Sequence, residues 1–442
     1  MIQRTVRLLA RVIRRRVLPS GPNGDQRVLV YYPPFRHKKD LVSHYSRARW
    51  YIPQARVAGQ VFFGKAFSGV WVWSESDVPE YMSRTPYPNA HLKLVNLAEY
   101  VKWLLLSTHV LLWQGDEPDL MLRVLRLFTA ADITIVTTDS LKAVEYGRYC
   151  DFAWAKLMSK EQRDELIHES FERFKHYTRG FRDAYQAACV FGTGPSIDTA
   201  ANFDFAEVMC VVCNSVVQNR QLLDQIRPRF ITAGDVVSHF GISLYADQFR
   251  NDLVKCLKER DVYFLTTASF ALLLVDHYPE VRDKVMLLTQ KGSRHANFDL
   301  YSDYSLPMMD STLNIHMLPL AATFCDTIYI LGCDGKNPDA SKNEDFWAHS
   351  QSAQYHDLVE TGHLCHPTFD VNRKARTYNA YQDSTKQTLD DGERLHGKRY
   401  YSLAPSFIPE INVRRVDFTA EQIPVRLHAL VSADDQRPLP RG

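Results

Sequence analysis

A chain of 442 residues is longer than one hydrophobic core usually supports, so we expect two folded units. Hydrophobic residues make up 45% of the chain and charged residues 24%, which excludes a disordered, a collagen-like and a simple coiled-coil protein. The formal net charge is +2, but residues 1–24 hold six arginines and no acid, so the rest of the chain carries −4 and shows no nucleic-acid footprint.

The first 18 residues have the pattern of a basic amphipathic helix. Five apolar residues fall on one face of that helix and five arginines on the opposite face. Such a helix can lie on an anionic membrane surface or dock on the protein's own body. We predict a basic amphipathic arm over 1–24 that contacts an anionic membrane surface through residues 1–18. The longest near-apolar run, residues 103–113, is too short to span a bilayer, so we expect no transmembrane segment.

Apolar, β-rich runs alternate with helical patterns from residue 25 to residue 140. The predicted strands cover residues 28–32, 61–63, 70–73, 110–113 and 133–136, and the predicted helices cover 96–107 and 118–131. Strands that alternate with helices indicate a parallel sheet covered on both faces. We therefore predict an N-terminal α/β domain over 25–140, followed by a polar helical connector over 141–187.

A second α/β domain is predicted over residues 188–431. Its predicted strands cover 188–192, 208–214, 229–235, 262–267, 285–290, 327–334 and 399–405, and its predicted helices cover 246–259, 268–276 and 313–325. The polar stretch over 335–398 is too long for an ordinary loop and is typical of a lid or binding segment. Residues 432–442 have the composition of a disordered tail. The predicted fold class is therefore α/β, with two Rossmann-like domains and mostly parallel sheets.

Eight cysteines are spread over the chain, and several lie within runs predicted as strands. The C-x-x-C sequence at Cys210 and Cys213 lies in a strand, where its spacing puts the two side chains on opposite faces of the sheet. We therefore predict buried free thiols and no zinc or redox site. Free thiols fit a reducing cytoplasm, so we expect a cytoplasmic protein, peripheral on the inner face of the cell membrane.

The first strand of the second domain runs directly into the sequence GTGPS at residues 192–196. In a strand–turn–helix unit, glycines let the backbone approach a phosphate, and the helix N-terminus supplies free N–H donors. Pro195 can begin the helix, and Ser196 can donate its hydroxyl. Because Ile197 takes the sixth position, the motif is not the full dinucleotide fingerprint, and a tight turn without a ligand remains the alternative.

Polar residues also follow three other predicted strands, at Asn214, Asp235 and Asp334. In open α/β sheets, ligands bind at the carboxyl ends of the strands, and parallel neighbours bring these ends to one rim. Ser311 and Thr312 precede the helix that leads to the strand ending at Asp334, so they reach the same rim. Each of these residues could be a cap or turn residue when taken alone. Taken together, they predict a nucleotide-sized polar rim.

The order of five motifs resembles a known group of enzymes. The motifs are GTGPSI, VVCNS, PRFITAGD, the block from STLNIHM to ILGCDG, and YYSLAPSF. Their succession is similar to that of bacterial sialyltransferases with a single nucleotide-binding domain. It is also similar to the wider superfamily of 6-hydroxymethylpterin pyrophosphokinase-like proteins and motility accessory factors. The resemblance covers residues 188–410, about half of the chain, and leaves residues 1–187 outside.

The resemblance implies a glycosyltransferase-like fold and a sialyltransferase-like enzyme. Its donor would be a nucleotide-activated, CMP-linked acidic sugar used in surface polysaccharide or glycoconjugate synthesis. The implied nucleotide-binding residues are Gly192, Thr193, Gly194, Pro195, Ser196, Asn214, Ser311, Thr312 and Asp334. Tyr355 is predicted to lie near the phosphates as a neutral donor. Asp235 stands where those enzymes have an asparagine that faces the donor sugar, and its carboxylate would repel an acidic sugar.

The general base implied by the resemblance is a histidine downstream of Asp334. The candidates are His349, His356, His363 and His366. Histidine suits the task because its pKa lies near the working pH. We place His366 first, since it lies in the expected order before the YYSLAPS strand, and His356 second.

Two other functions remain open at this point. A pyrophosphokinase of the 6-hydroxymethylpterin type would need Mg²⁺, with Asp235 and Asp334 as ligands. A non-catalytic nucleotide-binding protein of a polysaccharide assembly would need no turnover at all. Because no D-x-D pair stands beside the nucleotide strands, we predict no obligatory cofactor and no metal site for the glycosyltransferase. Its partners would be a nucleotide sugar, a glycan acceptor and the membrane surface.

Overall fold

The computed structural model of the chain describes residues 27–57, 59–84, 87–115, 118–129, 131–136, 145–337, 349–365, 378–419 and 423–427. The predicted arm over 1–24, the predicted tail over 432–442 and the first-choice base His366 lie outside these residues. Every pairing between strands in the described part is parallel, which confirms the predicted α/β class. No helix among the described residues is both long and apolar enough to cross a bilayer.

The first sheet contains β1 (Arg27–Phe35), β2 (Gly59–Lys65), β3 (Leu92–Val95), β4 (His109–Leu112) and β5 (Asp132–Ile135). Their order in the sheet is β3-β2-β1-β4-β5. The helices of this unit are α1 (Lys38–Tyr51), α2 (Leu97–Leu105) and α3 (Leu120–Thr129). Central β1 carries a continuous buried run, as expected for a parallel strand covered on both faces.

One predicted strand of this unit is wrong. Residues 70–73 form no strand, and the unpredicted β3 pairs with β2 instead. Val70 and Val72 are 96% and 77% exposed, whereas Trp71 and Trp73 pack against the core. The alternation of valine and tryptophan therefore belongs to a loop that buries its indole rings. A β-like pattern makes a strand only where a neighbouring backbone is free to pair with it.

The described part of the predicted connector contains α4 (Glu145–Lys156), α5 (Lys160–Tyr177) and α6 (Phe181–Ala184). Ser159 begins α5 with a capping box, in which its side chain accepts from the Gln162 N–H and the Gln162 side chain accepts from the Ser159 N–H. α5 packs on the second sheet, where the Ser170 hydroxyl accepts from the Leu287 N–H at 2.7 Å. The described part of this stretch is mostly helical.

The second sheet contains β6 (Ala187–Phe191), β8 (Val208–Cys213), β9 (Phe230–Thr232), β10 (Tyr263–Thr267), β11 (Val285–Gln290), β12 (Ser305–Leu306), β13 (Thr327–Leu331) and β14 (Arg399–Ser402). The short strands β7 (Phe203–Asp204) and β15 (Val425–Arg426) pair with each other apart from it. The helices are α7 (Arg220–Ile226), α8 (Leu244–Glu259), α9 (Ala268–His277), α10 (Leu318–Phe324), α11 (Val359–Leu364), α12 (Tyr378–His396) and α13 (Pro409–Asn412).

The order in which strands are added to the sheet reverses beside β6. The order of the sheet is β12-β11-β10-β9-β8-β6-β13-β14, so the chain moves from β6 through β8 to one side and later returns to place β13 on the other side. Such a switch point opens a crevice outside the carboxyl ends of the two flanking strands, where ligands of α/β proteins bind. β9, β8, β6 and β13 are neighbours, so their carboxyl ends form the single rim that the sequence predicted.

The two sheets share a hydrophobic core. One apolar cluster joins Leu29 and Phe63 of the first sheet to Phe191 and Val212 of the second. Two further clusters cover the other faces of the second and first sheets. The large shared core holds the two sheets together as one body.

The cysteines follow the prediction in all but one case. Cys210 lies in the shared core and Cys213 in the cluster on the other face of the sheet, as their spacing predicts. All eight cysteines are free thiols, and all except the half-buried Cys333 are buried.

The stretch over 335–398, in which no helix was predicted, contains the helices α11 and α12. α12 buries Leu389 and Thr388. It is also held by Arg414, whose guanidinium lies 2.7 Å from the Glu393 carboxylate and 3.1 Å from that of Asp390. Contacts from a distant segment therefore stabilise a helix whose own sequence is mostly polar.

Candidate functional site

The GTGPS loop (residues 192–196) lies against the segment that follows β13. The Gly192 N–H donates to Leu331 O at 2.8 Å, and the Gly194 N–H donates to Gly332 O at 2.7 Å. A Cβ on Gly192 would lie 2.2 Å from Gly332 O, so only glycine permits this approach. The loop then enters a 3-10 helix over Pro195–Asn202, with Pro195 in its first turn.

Ser196 and Asp334 bind each other across the switch point. The Asp334 carboxylate accepts the Ser196 N–H at 3.0 Å and the Ser196 hydroxyl at 2.8 Å. The Ser196 hydroxyl oxygen also accepts from the Gly332 N–H at 3.0 Å. Burial raises the pKa of the Asp334 carboxyl, and the bonds from Ser196 oppose that rise. The two predicted nucleotide contacts therefore also fix the mouth of the crevice.

Asn214 follows β8 with a left-handed backbone, which asparagine adopts more readily than most other non-glycine residues. Its φ is +51°, in the left-handed region. Its amide oxygen Oδ1 is buried and has no hydrogen-bond partner among the described residues. Nε2 of nearby Gln218 is also buried and has no partner there. Unpaired buried polar atoms are rare in proteins, and a bound ligand is one explanation for them.

The segment that begins at Ser311 has a second unusual backbone. Ser311 has a φ of +71°, and Thr312 precedes a π-helix over Leu313–Met317 that continues into α10. π-helical turns are rare and often mark functional sites. The Asn314 amide donates to Asp310 O, Ser384 Oγ and Thr385 Oγ1, each at 3.1 Å, which ties the π-helix to α12.

Two buried histidines at the rim were not predicted as site residues. His316 lies in the π-helix, and neither of its ring nitrogens has a partner in the described part of the chain. A Cβ on Gly234 would lie 2.8 Å from His316 Cε1, so the ring lies directly beside the backbone that leads from β9 to Asp235. Burial lowers the pKa of His316 to about 3, and it lowers the pKa of His239 as well. Both rings are therefore neutral at pH 7 and can each donate and accept one hydrogen bond.

A sequence signal for these histidines existed. His239 stands four residues after Asp235, and His316 stands inside the STLNIHM block that carries the resemblance. Nothing local in either pattern shows that the two rings converge, because each comes from a different connection of the sheet.

Asp235 is held by the turn that it begins. Its Oδ1 accepts the N–H groups of Val237 at 2.9 Å and Ser238 at 2.5 Å, and its carbonyl accepts from the His239 N–H at 3.1 Å. The N–H bonds offset part of the negative charge of this carboxylate.

The segment over 349–358 packs onto the GTGPS loop. His349 Nδ1 lies 2.8 Å from Thr193 Oγ1, within hydrogen-bond distance, and the Ser350 N–H donates to Thr193 O at 2.8 Å. The Ser350 hydroxyl also bonds to the Asp198 carboxylate at 2.8 Å. At the next strand end, the Ser215 hydroxyl donates to Ala353 O at 2.6 Å. This segment therefore bridges the loops that follow β6 and β8.

Two predicted site residues of this segment have other contacts. The Tyr355 hydroxyl donates to the Asp252 carboxylate of α8 at 2.8 Å, so a phosphate contact would require that bond to break. His356 is exposed, and its Nε2 lies 3.2 Å from Ser350 O. Among the residues that the structure describes, no group of three or more His, Cys, Asp or Glu side chains is arranged to hold a metal ion.

Comparison with known proteins gives few matches. No family model matches the sequence, and no curated protein matches it. A solved structure of the sialyltransferase CstII from Campylobacter jejuni, in complex with the substrate analogue cytidine-5'-monophosphate, is similar with 13% sequence identity and a TM-score of 0.28. The matched region covers 53% of this chain and 88% of that chain.

Proposed function

We propose that this chain is a glycosyltransferase that binds a nucleotide-activated sugar at the rim between β6 and β13. One observation carries the proposal: on the same rim as the GTGPS loop, Asn214 after β8 and His316 beside the backbone after β9 have buried polar atoms without a partner among the described residues. Buried polar groups without partners destabilise a protein that binds nothing there. A polar ligand that spans the rim, such as a nucleotide, would satisfy them.

The order of the motifs supports a CMP-linked acidic sugar as the donor in surface polysaccharide or glycoconjugate synthesis. Asp235 opposes an acidic sugar through its charge. The N–H groups of Val237 and Ser238 offset part of that charge, and the neutral rings of His239 and His316 add no positive charge to attract an acid. A comparison of donors therefore decides which sugar the nucleotide carries.

In the proposed reaction, the acceptor hydroxyl attacks the anomeric carbon of the donor. The bond between that carbon and the phosphate oxygen breaks, and the nucleotide leaves with the electron pair. His366 takes the proton from the acceptor hydroxyl, and His356 is the second candidate for this role. His349 contacts Thr193 directly, so we assign it to positioning the GTGPS loop.

The pyrophosphokinase alternative depends on Asp235 and Asp334 as Mg²⁺ ligands. Both carboxylates accept backbone N–H groups in the structure, so fewer of their lone pairs are available to a cation. This geometry supports the glycosyltransferase over the pyrophosphokinase.

A thermal-shift screen tests the nucleotide site. We expect CMP or CDP to raise the Tm both in EDTA and in Mg²⁺, since a ligand at 100 times its Kd adds about 2.7 kcal/mol of stability. UDP, GDP and ATP are the comparison ligands. A shift that requires ATP together with Mg²⁺ would support the pyrophosphokinase, and no shift with any nucleotide would refute the site.

We also propose that residues 1–18 bring the enzyme to an anionic membrane surface. We expect a chain that lacks residues 2–18 to stay in solution with anionic vesicles that sediment the full chain at low salt. Turnover of soluble substrates should change little, since the deleted residues precede both sheets. A full chain that fails to sediment at low salt would contradict the proposal.

A further inference from the structure

The two sheet units meet along a polar seam, which we define as the contact of α1 with α8, α9 and the 240–243 segment. The Trp50 indole N–H donates to Phe240 O at 2.7 Å. His277 of α9 has Nε2 at 2.7 Å from Trp50 O, and its ring stacks on the indole with centroids 4.0 Å apart. Arg56 pairs with Asp276 at 2.6 Å. None of these contacts involves a residue assigned to the rim.

A small cavity of about 10 Å³ lies inside this seam. Ser46, Arg49 and Arg250 are among the residues that line it. Ser46 Oγ, Arg49 Nε and Arg250 Nε are all buried and have no hydrogen-bond partner among the described residues. Three unsatisfied groups on one cavity indicate that a bound species completes their hydrogen bonds.

The two arginines carry positive charge into the interior. Arg250 is 0% exposed and Arg49 is 6% exposed. A guanidinium does not lose its proton in a protein, so both charges persist when buried. The Arg250 guanidinium lies 4.0 Å over the Trp50 ring, and that of Arg49 lies 3.8 Å over the Trp73 ring.

The neighbouring groups compensate the two charges unequally. Burial lowers the pKa of Arg250, but Tyr87, Tyr278 and Asp247 outweigh it, so the pKa is raised. Asp247 pairs with Arg250 at 3.4 Å, which is long for a hydrogen bond between charged groups. Arg49 donates to the neutral carbonyl of Tyr87 at 3.0 Å. Burial lowers the pKa of Arg49, and nearby Glu75 acts in the opposite direction. An anion between the two guanidiniums would offset the burial of the Arg49 charge.

The size of the cavity limits the anion. A volume of about 10 Å³ corresponds to one water-sized sphere, which a monatomic anion can occupy with slight expansion and which a phosphate or a carboxylate-bearing ligand cannot. Water would satisfy the N–H donors and would not offset the burial of the Arg49 charge. We propose that the seam binds one chloride ion between Arg49 and Arg250, with the Ser46 hydroxyl as a third donor.

An ion at this site would also stabilise the turn that begins at Asp235. Arg250 also donates to Gly241 O at 2.5 Å, and Gly241 belongs to the turn that begins at Asp235. An ion that holds Arg250 therefore also helps to hold the turn that presents Asp235 and His239 to the rim. The chloride proposal stands on the seam residues alone and does not depend on the proposed function.

Thermal unfolding of the full chain in matched salts tests the proposal. At constant ionic strength, we expect replacement of gluconate by chloride to raise the Tm by about 1–3 °C over a range from about 1 to about 100 mM. Arg49→Gln should remove this chloride dependence. Arg56→Gln is the matched control, since Arg56 crosses the same seam to buried Asp276 and does not line the cavity. It should lower the Tm in both salts and keep the chloride shift.

Two further measurements keep the test independent of how well Arg49→Gln folds. Ser46→Ala should raise the chloride concentration at the midpoint of the shift by about 2–10-fold, the loss of one hydrogen bond. Crystals of the unaltered chain grown in bromide should show an anomalous peak in the cavity. Equal Tm values in chloride and gluconate overturn the proposal and assign the cavity to water. A shift with phosphate and none with chloride overturns it as well.

Discussion

Replacement of His366 by alanine should lower glycosyl transfer by about 10²–10⁴-fold, the usual contribution of a general base. Nucleotide affinity should stay nearly unchanged, because the proposed base acts on the acceptor hydroxyl in the transition state. The measurement is donor turnover with and without acceptor at several pH values, paired with calorimetric titration of the nucleotide.

Three other histidines give this experiment its controls. His363→Ala, on α11, should leave turnover close to that of the unaltered chain. His349→Ala should weaken nucleotide binding first, since His349 contacts Thr193 of the GTGPS loop. Full activity in His366→Ala would eliminate that residue and make His356 the base to test. Activity that vanishes in EDTA and requires ATP would overturn the glycosyltransferase itself.

Replacement of Gly194 by valine should abolish nucleotide binding while the chain remains folded. A Cβ at this position would lie 2.1 Å from Asp334 Oδ2 and 2.8 Å from Gly332 O. Valine therefore has to displace the Asp334 carboxylate that holds Ser196, and the mouth of the crevice changes shape. The loop lies at the ends of β6 and β13 and not within the apolar core, so we expect circular dichroism to show little change.

Calorimetry on the folded variant measures the effect, with Gly292→Val as the matched control. Gly292 has no atom within 4 Å of an added Cβ, so the same substitution there should keep nucleotide affinity. Affinity equal to that of the unaltered chain in Gly194→Val would refute the role of the GTGPS loop.

The elements of the fold were largely predictable from local pattern. The apolar runs at β1, β6, β8 and β13 are continuous, because strands buried on both faces need apolar side chains on both sides. The helices between them predict parallel pairing, which the sheets confirm. The failures lie where local pattern and pairing disagree. Valine and tryptophan alternate at 70–73, but no neighbouring strand pairs with these residues. The polar α12 is stabilised by Arg414, which follows it in the chain and pairs with Glu393.

The components of the site were visible in the sequence, and their assembly was not. The glycines at 192 and 194 and the polar residues at 214, 235 and 334 follow from the ends of predicted strands. The mutual bonds of Ser196 and Asp334 join positions 138 residues apart, and the contact of Thr193 with His349 joins positions 156 residues apart. The order of the strands decides such contacts, and local propensity contains no information about it.

The buried histidines and arginines show the same division most clearly. In the sequence, His316 and Arg250 lie in predicted helices, and Arg49 lies in a segment with no predicted element. Local pattern alone predicts a packed ring and two solvated charges. The packing of the π-helix against the backbone after β9, and of α1 against α8, removes water from these groups. Desolvation by distant elements is what makes their hydrogen bonds and charges significant, and only the tertiary structure determines it.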